Sequence, residues 1–99
     1  MTAPPDHITI TVKSFATLRE VMDAQIRLDL PVGATIRSLL AELTGQYEGL
    51  NALLFAAPDI LRDLVNILKN GRNIQFLAGL DTTLDDGDLI ALFPPVAGG

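Results

Sequence analysis

The sequence predicts an α+β roll, a mixed sheet of four to five strands with one main helix packed across it. Three observations predict it. Two stretches near the N-terminus, Ile8–Lys13 and Gln25–Leu30, alternate apolar and polar residues with the period of a strand. One stretch after them, Ile36–Leu43, carries a single helical stripe. A wholly apolar run, Leu89–Phe93, then offers a central strand for the others to flank.

The elements follow in order. Ile8-Thr9-Ile10-Thr11-Val12-Lys13 is rich in β-branched residues, and its alternation fits a half-buried strand. Phe15 to Glu20 breaks the alternation as a turn or short helix. It resumes at Gln25, with Ile26, Leu28 and Leu30 on one face, until Pro31 and Gly33 stop it. These two strands form a hairpin with a long connection. Thr35 is a good N-cap for the helix, whose Ile36, Leu39, Leu40 and Leu43 stand on one stripe. Gly45 is read as its left-handed stop.

Between Gln46 and Asp63 the apolar residues Leu50, Leu53, Leu54, Ile60 and Leu61 are expected to be buried, and Pro58 suits the first turn of a short helix. Leu64–Leu68 is expected to be a third strand. Asn70-Gly71 is a turn, since both residues tolerate positive φ, and Ile74–Leu77 is a short return strand. Asp85-Asp86-Gly87-Asp88 is the turn into the last strand. With no polar face, Leu89–Phe93 is expected mid-sheet beside the first strand and covered on both sides, until Pro94-Pro95 ends it. The order is β-β-α-β-(β)-β.

Composition narrows the function. The 99 residues suffice for one domain, read as a disordered lead over 1–7, a folded body over 8–93 and an extended tail over 94–99. Twelve acidic against seven basic residues give a net charge of −5, which argues against nucleic acid and for a protein partner with a basic surface. There is no cysteine, which removes disulfides, thiolate metal sites and a cysteine nucleophile together. No apolar run is long enough for a bilayer, and residues 1–7 lack the order of a signal peptide, so a cytoplasmic protein with no membrane partner is expected.

Ordinary catalytic sets are missing. His7 is the only histidine, so neither a Ser-His-Asp set nor a histidine metal cluster can be built, and no metal site is expected. Counted from Asp81 as a calcium loop, positions six and twelve hold Asp86 and Leu92 instead of Gly and Glu. No phosphate-cradling glycine spacing is present.

What remains is the C-terminus, Pro94-Pro95-Val96-Ala97-Gly98-Gly99. Two prolines stiffen its base, and six extended residues reach roughly 20 Å. Two terminal glycines let backbone pass a narrow channel and leave the last carbonyl open to attack. A carboxylate is a poor electrophile, but its acyl-adenylate has a good leaving group. A tail of incidental glycines is the alternative. Its position directly after a core strand and Pro-Pro favours a carrier, an inert body presenting a reactive end to other enzymes.

In these features the chain resembles the MoaD proteins, the small subunit of molybdopterin synthase, within the MoaD/ThiS sulfur-carrier superfamily of ubiquitin-like β-grasp proteins. The resemblance runs from about Ile8 to Gly99. It rests on Ser14-Phe15-Ala16-Thr17-Leu18-Arg19-Glu20, on Leu30-Pro31-Val32-Gly33-Ala34-Thr35, on Leu84-Asp85-Asp86-Gly87-Asp88 and above all on Phe93-Pro94-Pro95-Val96-Ala97-Gly98-Gly99. It implies that a ubiquitin-activating-like adenylyltransferase (MoeB-like) uses ATP to adenylate the Gly99 carboxylate, which becomes a thiocarboxylate. The tail would then enter the large synthase subunit (MoaE-like) and deliver sulfur to precursor Z. Gly99 would be the acceptor, Gly98 would permit threading, and Ala97, Val96, Pro95 and Pro94 would line the channel. Phe93 and Phe15 would dock the partner, with ordinary core packing as the other reading of both rings. No cofactor would be bound by the chain itself. Sulfur transfer in another pathway (thiamine, an amino acid, thiolated tRNA), a ubiquitin-like modifier joined to lysines, and a plain binding module stand as alternatives.

Overall fold

In the computed structural model the described residues are 6–95. They form strands β1 (His7–Ser14), β2 (Gln25–Pro31), β3 (Phe55–Ala57), β4 (Ile60–Leu61), β5 (Asn66–Lys69), β6 (Arg72–Asn73) and β7 (Leu89–Phe93), and helices α1 (Ile36–Gln46) and α2 (Leu50–Leu54). Three short 3₁₀ turns cover Ala16–Glu20, Ile74–Phe76 and Gly79–Asp81.

The main sheet has five strands in the order β2-β1-β7-β5-β6. β1 runs antiparallel to β2, from His7 opposite Pro31 to Lys13 opposite Gln25. It runs parallel to β7, with Thr11 beside Leu89 and Ser14 beside Leu92. β7 is antiparallel to β5, so the last strand is central, as its composition predicts. α1 lays Ile36, Leu39, Leu40 and Leu43 into a core that takes Ile8, Ile10 and Val12 from β1, Leu30 from β2, Ile67 from β5 and Ile90 and Leu92 from β7. This is the β-grasp roll.

Local chemistry sets the elements. Thr35 caps α1: its Oγ1 accepts from Ser38 N–H, and Ser38 Oγ accepts from Thr35 N–H at 2.7 Å. The bend after β2 uses Gly33 at φ +93°. Asn70 and Gly71 both have positive φ, closing the two-residue β5–β6 hairpin with Lys69 opposite Arg72. The acidic turn ties down β1: Asp86 accepts from Thr9 N–H at 2.7 Å, and Gly87 N–H donates to Thr9 C=O at 2.8 Å.

Several expectations are corrected. α1 passes through Gly45 and ends at Gln46 with Tyr47 as an extended C-cap, and the left-handed residue, Gly49 at φ +90°, is the N-cap of α2. Pro58 does not start a helix. With Asp59 at φ +62° it forms the turn of the β3–β4 hairpin, because proline fits the second residue of such a turn as well as it fits a first helical turn. Ile60, expected to be buried, is 59% exposed on that hairpin. The third long-chain strand begins at Asn66, since Leu64 sits at φ +71° and points to solvent. The return strand is Arg72–Asn73, and Ile74–Phe76 is a 3₁₀ turn started by the Asn73 side chain accepting from Gln75 N–H. The first strand begins at His7, one residue before the expected start. β7 is covered by the core on one face only: Leu89 is 38% exposed, and Ala91 and Phe93 are half-buried on the other.

Candidate functional site at the base of the tail

That open face of the sheet surrounds the point where the chain leaves its fold. Alternation places Leu89, Ala91 and Phe93 of β7 on it. The register brings Lys13 beside Ala91, Leu68 opposite Ala91 and Asn66 opposite Phe93. The result is a modest apolar strip with polar edges.

Phe15 joins the strip through a local device. Ser14, fully buried, donates through Oγ to Asp23 C=O at 2.9 Å, and its N–H donates to Ala24 C=O at 2.9 Å. Ala16 turns the chain at φ +53°, and Leu18 plugs the core. Phe15 N–H donates to Leu92 C=O at 3.2 Å, so its ring lies against β7. There it stacks on Phe93, centroids 4.4 Å apart and rings 8° from parallel. Arg19 lies over Phe15 at 5.2 Å, held by its Nε donating to Ser14 C=O at 2.8 Å. The segment from Ser14 to Glu20 therefore has a physical task, to place one aromatic ring and one cation beside the last strand. Docking and packing were the two readings of Phe15 and Phe93. Both rings are half-buried, with one side in the stack and another at the surface.

Pro94 is buried against this chain's own body, so the part that could enter a partner's channel starts no earlier than half-buried Pro95. Val96, Ala97, Gly98 and Gly99 lie outside the described residues. Pro95 also lines a hollow of about 400 Å³ with Ala56, Ile60, Leu61, Arg62 and Asp63. The β3–β4 hairpin thus flanks the tail base, a neighbourhood absent from the sequence reading because the hairpin and Pro95 lie far apart along the chain. Arg19 was within reach of that reading, since it stands four residues after Phe15 in the same motif.

Two clusters of ionisable groups elsewhere, around Lys69 and around Arg37, are occupied by the chain itself. Lys69 donates to Thr83 C=O at 2.8 Å and to Asp85 at 3.0 Å, and its ammonium lies 3.4 Å from buried Asp88. Burial pulls its pKa down, but the hydrogen bond to Asp85 and the charges of Asp88 and Asp85 outweigh this and raise it. Asp88 also accepts from Asn70 Nδ2 at 2.8 Å and from Asp85 N–H at 2.7 Å. The acidic turn is therefore a strand anchor, and its carboxylates serve this chain's own donors. Arg37 is held by Asp59 at 3.0 Å and Asp81 at 3.2 Å. Among the described residues no group of three His, Cys, Asp or Glu side chains could hold a metal, and no helix is long and apolar enough to cross a membrane.

Comparison with known proteins agrees with this geometry. Small archaeal modifier protein 3 of Haloferax volcanii is 41% identical, over 91% of this chain and 98% of that protein. The molybdopterin synthase sulfur carrier subunit of Mycobacterium tuberculosis is 33% identical, over 93% of this chain and 99% of that one. A solution structure of a Haloferax volcanii protein superposes with a TM-score of 0.84 at 37% identity, covering 100% of this chain and 93% of that one. A chain in the crystal structure of the Amycolatopsis orientalis BexX/CysO complex superposes with a TM-score of 0.74 at 25% identity, covering 91% and 99%. The family model described as the ThiS family matches residues 12–99. The chain therefore belongs to the ThiS family, among ubiquitin-like sulfur carriers and modifiers.

Proposed function

We propose that this chain is a sulfur carrier whose working group is the Gly99 carboxylate, and that its sulfur goes to molybdenum cofactor synthesis in the cytoplasm. The observation that carries the reading is the junction of β7 and tail. A central strand delivers Pro94-Pro95 at the rim of an apolar strip carrying the Phe15–Phe93 stack. A MoeB-like adenylyltransferase would dock there. The Gly99 carboxylate oxygen attacks the α-phosphorus of ATP, and pyrophosphate leaves. Hydrosulfide then attacks the acyl carbon, a proton is lost and AMP leaves, giving the thiocarboxylate; a persulfide donor gives the same product once a second thiol cleaves the S–S bond of the acyl disulfide and leaves as the mixed disulfide. A MoaE-like large subunit would receive the tail from Pro95 onward, with Val96, Ala97 and Gly98 in its channel. The body contributes position and recognition, and the enzymes supply the chemistry. The likeness to the molybdopterin synthase sulfur carrier subunit over nearly its full length supports this destination.

The likeness to small archaeal modifier protein 3 supports a second reading of the same end group. A lysine amine would attack the activated acyl carbon and form an isopeptide bond. Both readings need activation at Gly99. ATP–pyrophosphate exchange with the activating enzyme, run on the native chain, a Gly98–Gly99 deletion and a one-residue extension, tests that need. Exchange should vanish in both altered chains while thermal unfolding stays unchanged, and exchange retained by either would overturn the reading. Restored molybdopterin synthesis in a host lacking the gene separates the carrier from the modifier, which would instead appear on lysines of other proteins.

A further inference from the structure

The outer edge of β2 is the second surface with a specific chemistry. Ser14 N–H donates to Ala24 C=O and Val32 N–H donates to Asp6 C=O, each at 2.9 Å. Even-numbered residues of β2 therefore turn their backbone groups to β1. Gln25, Arg27, Asp29 and Pro31 turn theirs outward, and among the described residues no strand pairs with them. The other edge strand, β6, is only two residues long. A seven-residue open edge is a template for another strand, and natural edges are usually guarded.

The guard here is self-complementary. We propose that β2 pairs antiparallel with β2 of a second copy of this chain, with the two-fold axis at Leu28. In that register Arg27 faces Asp29 of the second copy, and Asp29 faces its Arg27. Both side chains lie on the open face and are exposed. Among the described residues Arg27 has no ion-pair partner and Asp29 is engaged only by Thr9 Oγ1 at 2.7 Å. The two residues exchange N–H and C=O groups with their counterparts, and Gln25 N–H donates to the C=O of the other Pro31. On the helix side Leu28 meets Leu28 of the second copy and Ile26 meets Leu30. Ile26 and Leu28 are only half-buried in the single chain, and this contact covers them. A foreign strand at any other register would set Arg27 or Asp29 against an unmatched group, so the same charges that repel strangers admit one partner. An axis normal to the sheet keeps both open faces on one side and sends the two β7 ends in opposite directions, so both tail bases stay free.

Sedimentation and ¹H–¹⁵N spectra of the full chain over a concentration series test the pairing. The mass should rise from monomer toward dimer, with shifts concentrated at Gln25–Pro31. Arg27→Asp should weaken dimerisation about tenfold by facing carboxylates with carboxylates, and Arg27→Asp combined with Asp29→Arg should restore it. Arg27→Pro, which removes an outward N–H and spares the β1 ladder, should weaken it as well. The rest of each spectrum reports that the variant is folded. A chain monomeric into the millimolar range, a dimer indifferent to Arg27→Asp, shifts centred elsewhere, or a folded charge-swapped chain that stays monomeric would each overturn the proposal. So would a chain that stays monomeric alone yet pairs this edge with an added extended peptide.

Discussion

Phe15 and Phe93 stack on each other beside the last strand, and in the proposed carrier the pair has a docking task as well. Their stack lies at the surface, where an aromatic pair adds about 1 kcal/mol beyond its burial. Phe93→Ala should therefore cost more than this in urea unfolding, since the ring's burial is lost as well, and a double-mutant cycle with Phe15→Ala should return a coupling of about 1 kcal/mol. The same change should lower kcat/KM for adenylation about tenfold, because it removes the apolar anchor nearest the tail. Unimpaired adenylation by folded Phe93→Ala would return both rings to a purely structural role. Lys69 is the opposite case, a charged residue with no route to chemistry. Its partner Asp88 is buried, so Lys69→Met should destabilise the chain by about 2 kcal/mol in urea and leave adenylation intact. The Lys69 pKa is raised above its ordinary 10.5, so its contribution is complete at neutral pH and below. It fades only as pH climbs above that ordinary value and through the folded one, and alkaline unfolding of Lys69→Met should lack this component.

At the scale of elements, the α1 boundary separates what the sequence discloses from what it withholds. The Thr35 cap was legible because capping is local, and Thr35→Ala should cost about 1 kcal/mol in thermal unfolding. The C-terminal end differs from the expectation because α1 closes without a left-handed glycine: Tyr47 caps it in an extended conformation, and the left-handed Gly49 stands before α2 instead. Gly45 lies inside the helix with ordinary φ and open space where a Cβ would stand, so Gly45→Ala should stabilise by about 0.5–1 kcal/mol. Gly49 sits at φ +90°, a conformation that a residue with a Cβ adopts only under strain, so Gly49→Ala should destabilise. Reversed signs in the two variants would contradict this assignment. Pro58 was ambiguous for a similar reason: proline fits a helix start and a turn alike. Tertiary bonds settle it, with Arg62 N–H donating to Leu54 C=O and Arg62 Nε to Ala52 C=O. β7 was placed correctly at mid-sheet from its lack of polar residues, yet the same signal suggested cover on both faces. Its second apolar face is instead the open strip, and periodicity has no means of telling a buried face from a docking face.

For the whole molecule, the proposed division of labour is between a body and an end. Among the described residues the core draws on both strands of the N-terminal hairpin, α1, β5 and β7. The acidic surplus of the chain favours encounter with a basic enzyme surface, which salt should slow without changing the chemistry at Gly99. The proposed working end is conspicuous from its residue types alone, because side chains that shrink to glycine after a rigid Pro-Pro have few structural uses. The open apolar strip is not, because Phe15, Lys13, Leu68 and Phe93 come together only through the tertiary fold. The most direct measurement is the intact mass of the untagged chain isolated from its own host under denaturing conditions. The account predicts a species in which one carboxylate oxygen of Gly99 is replaced by sulfur, located by fragmentation to that residue. A chain carrying its modification elsewhere, or one continuing past Gly99 in its mature form, would contradict it.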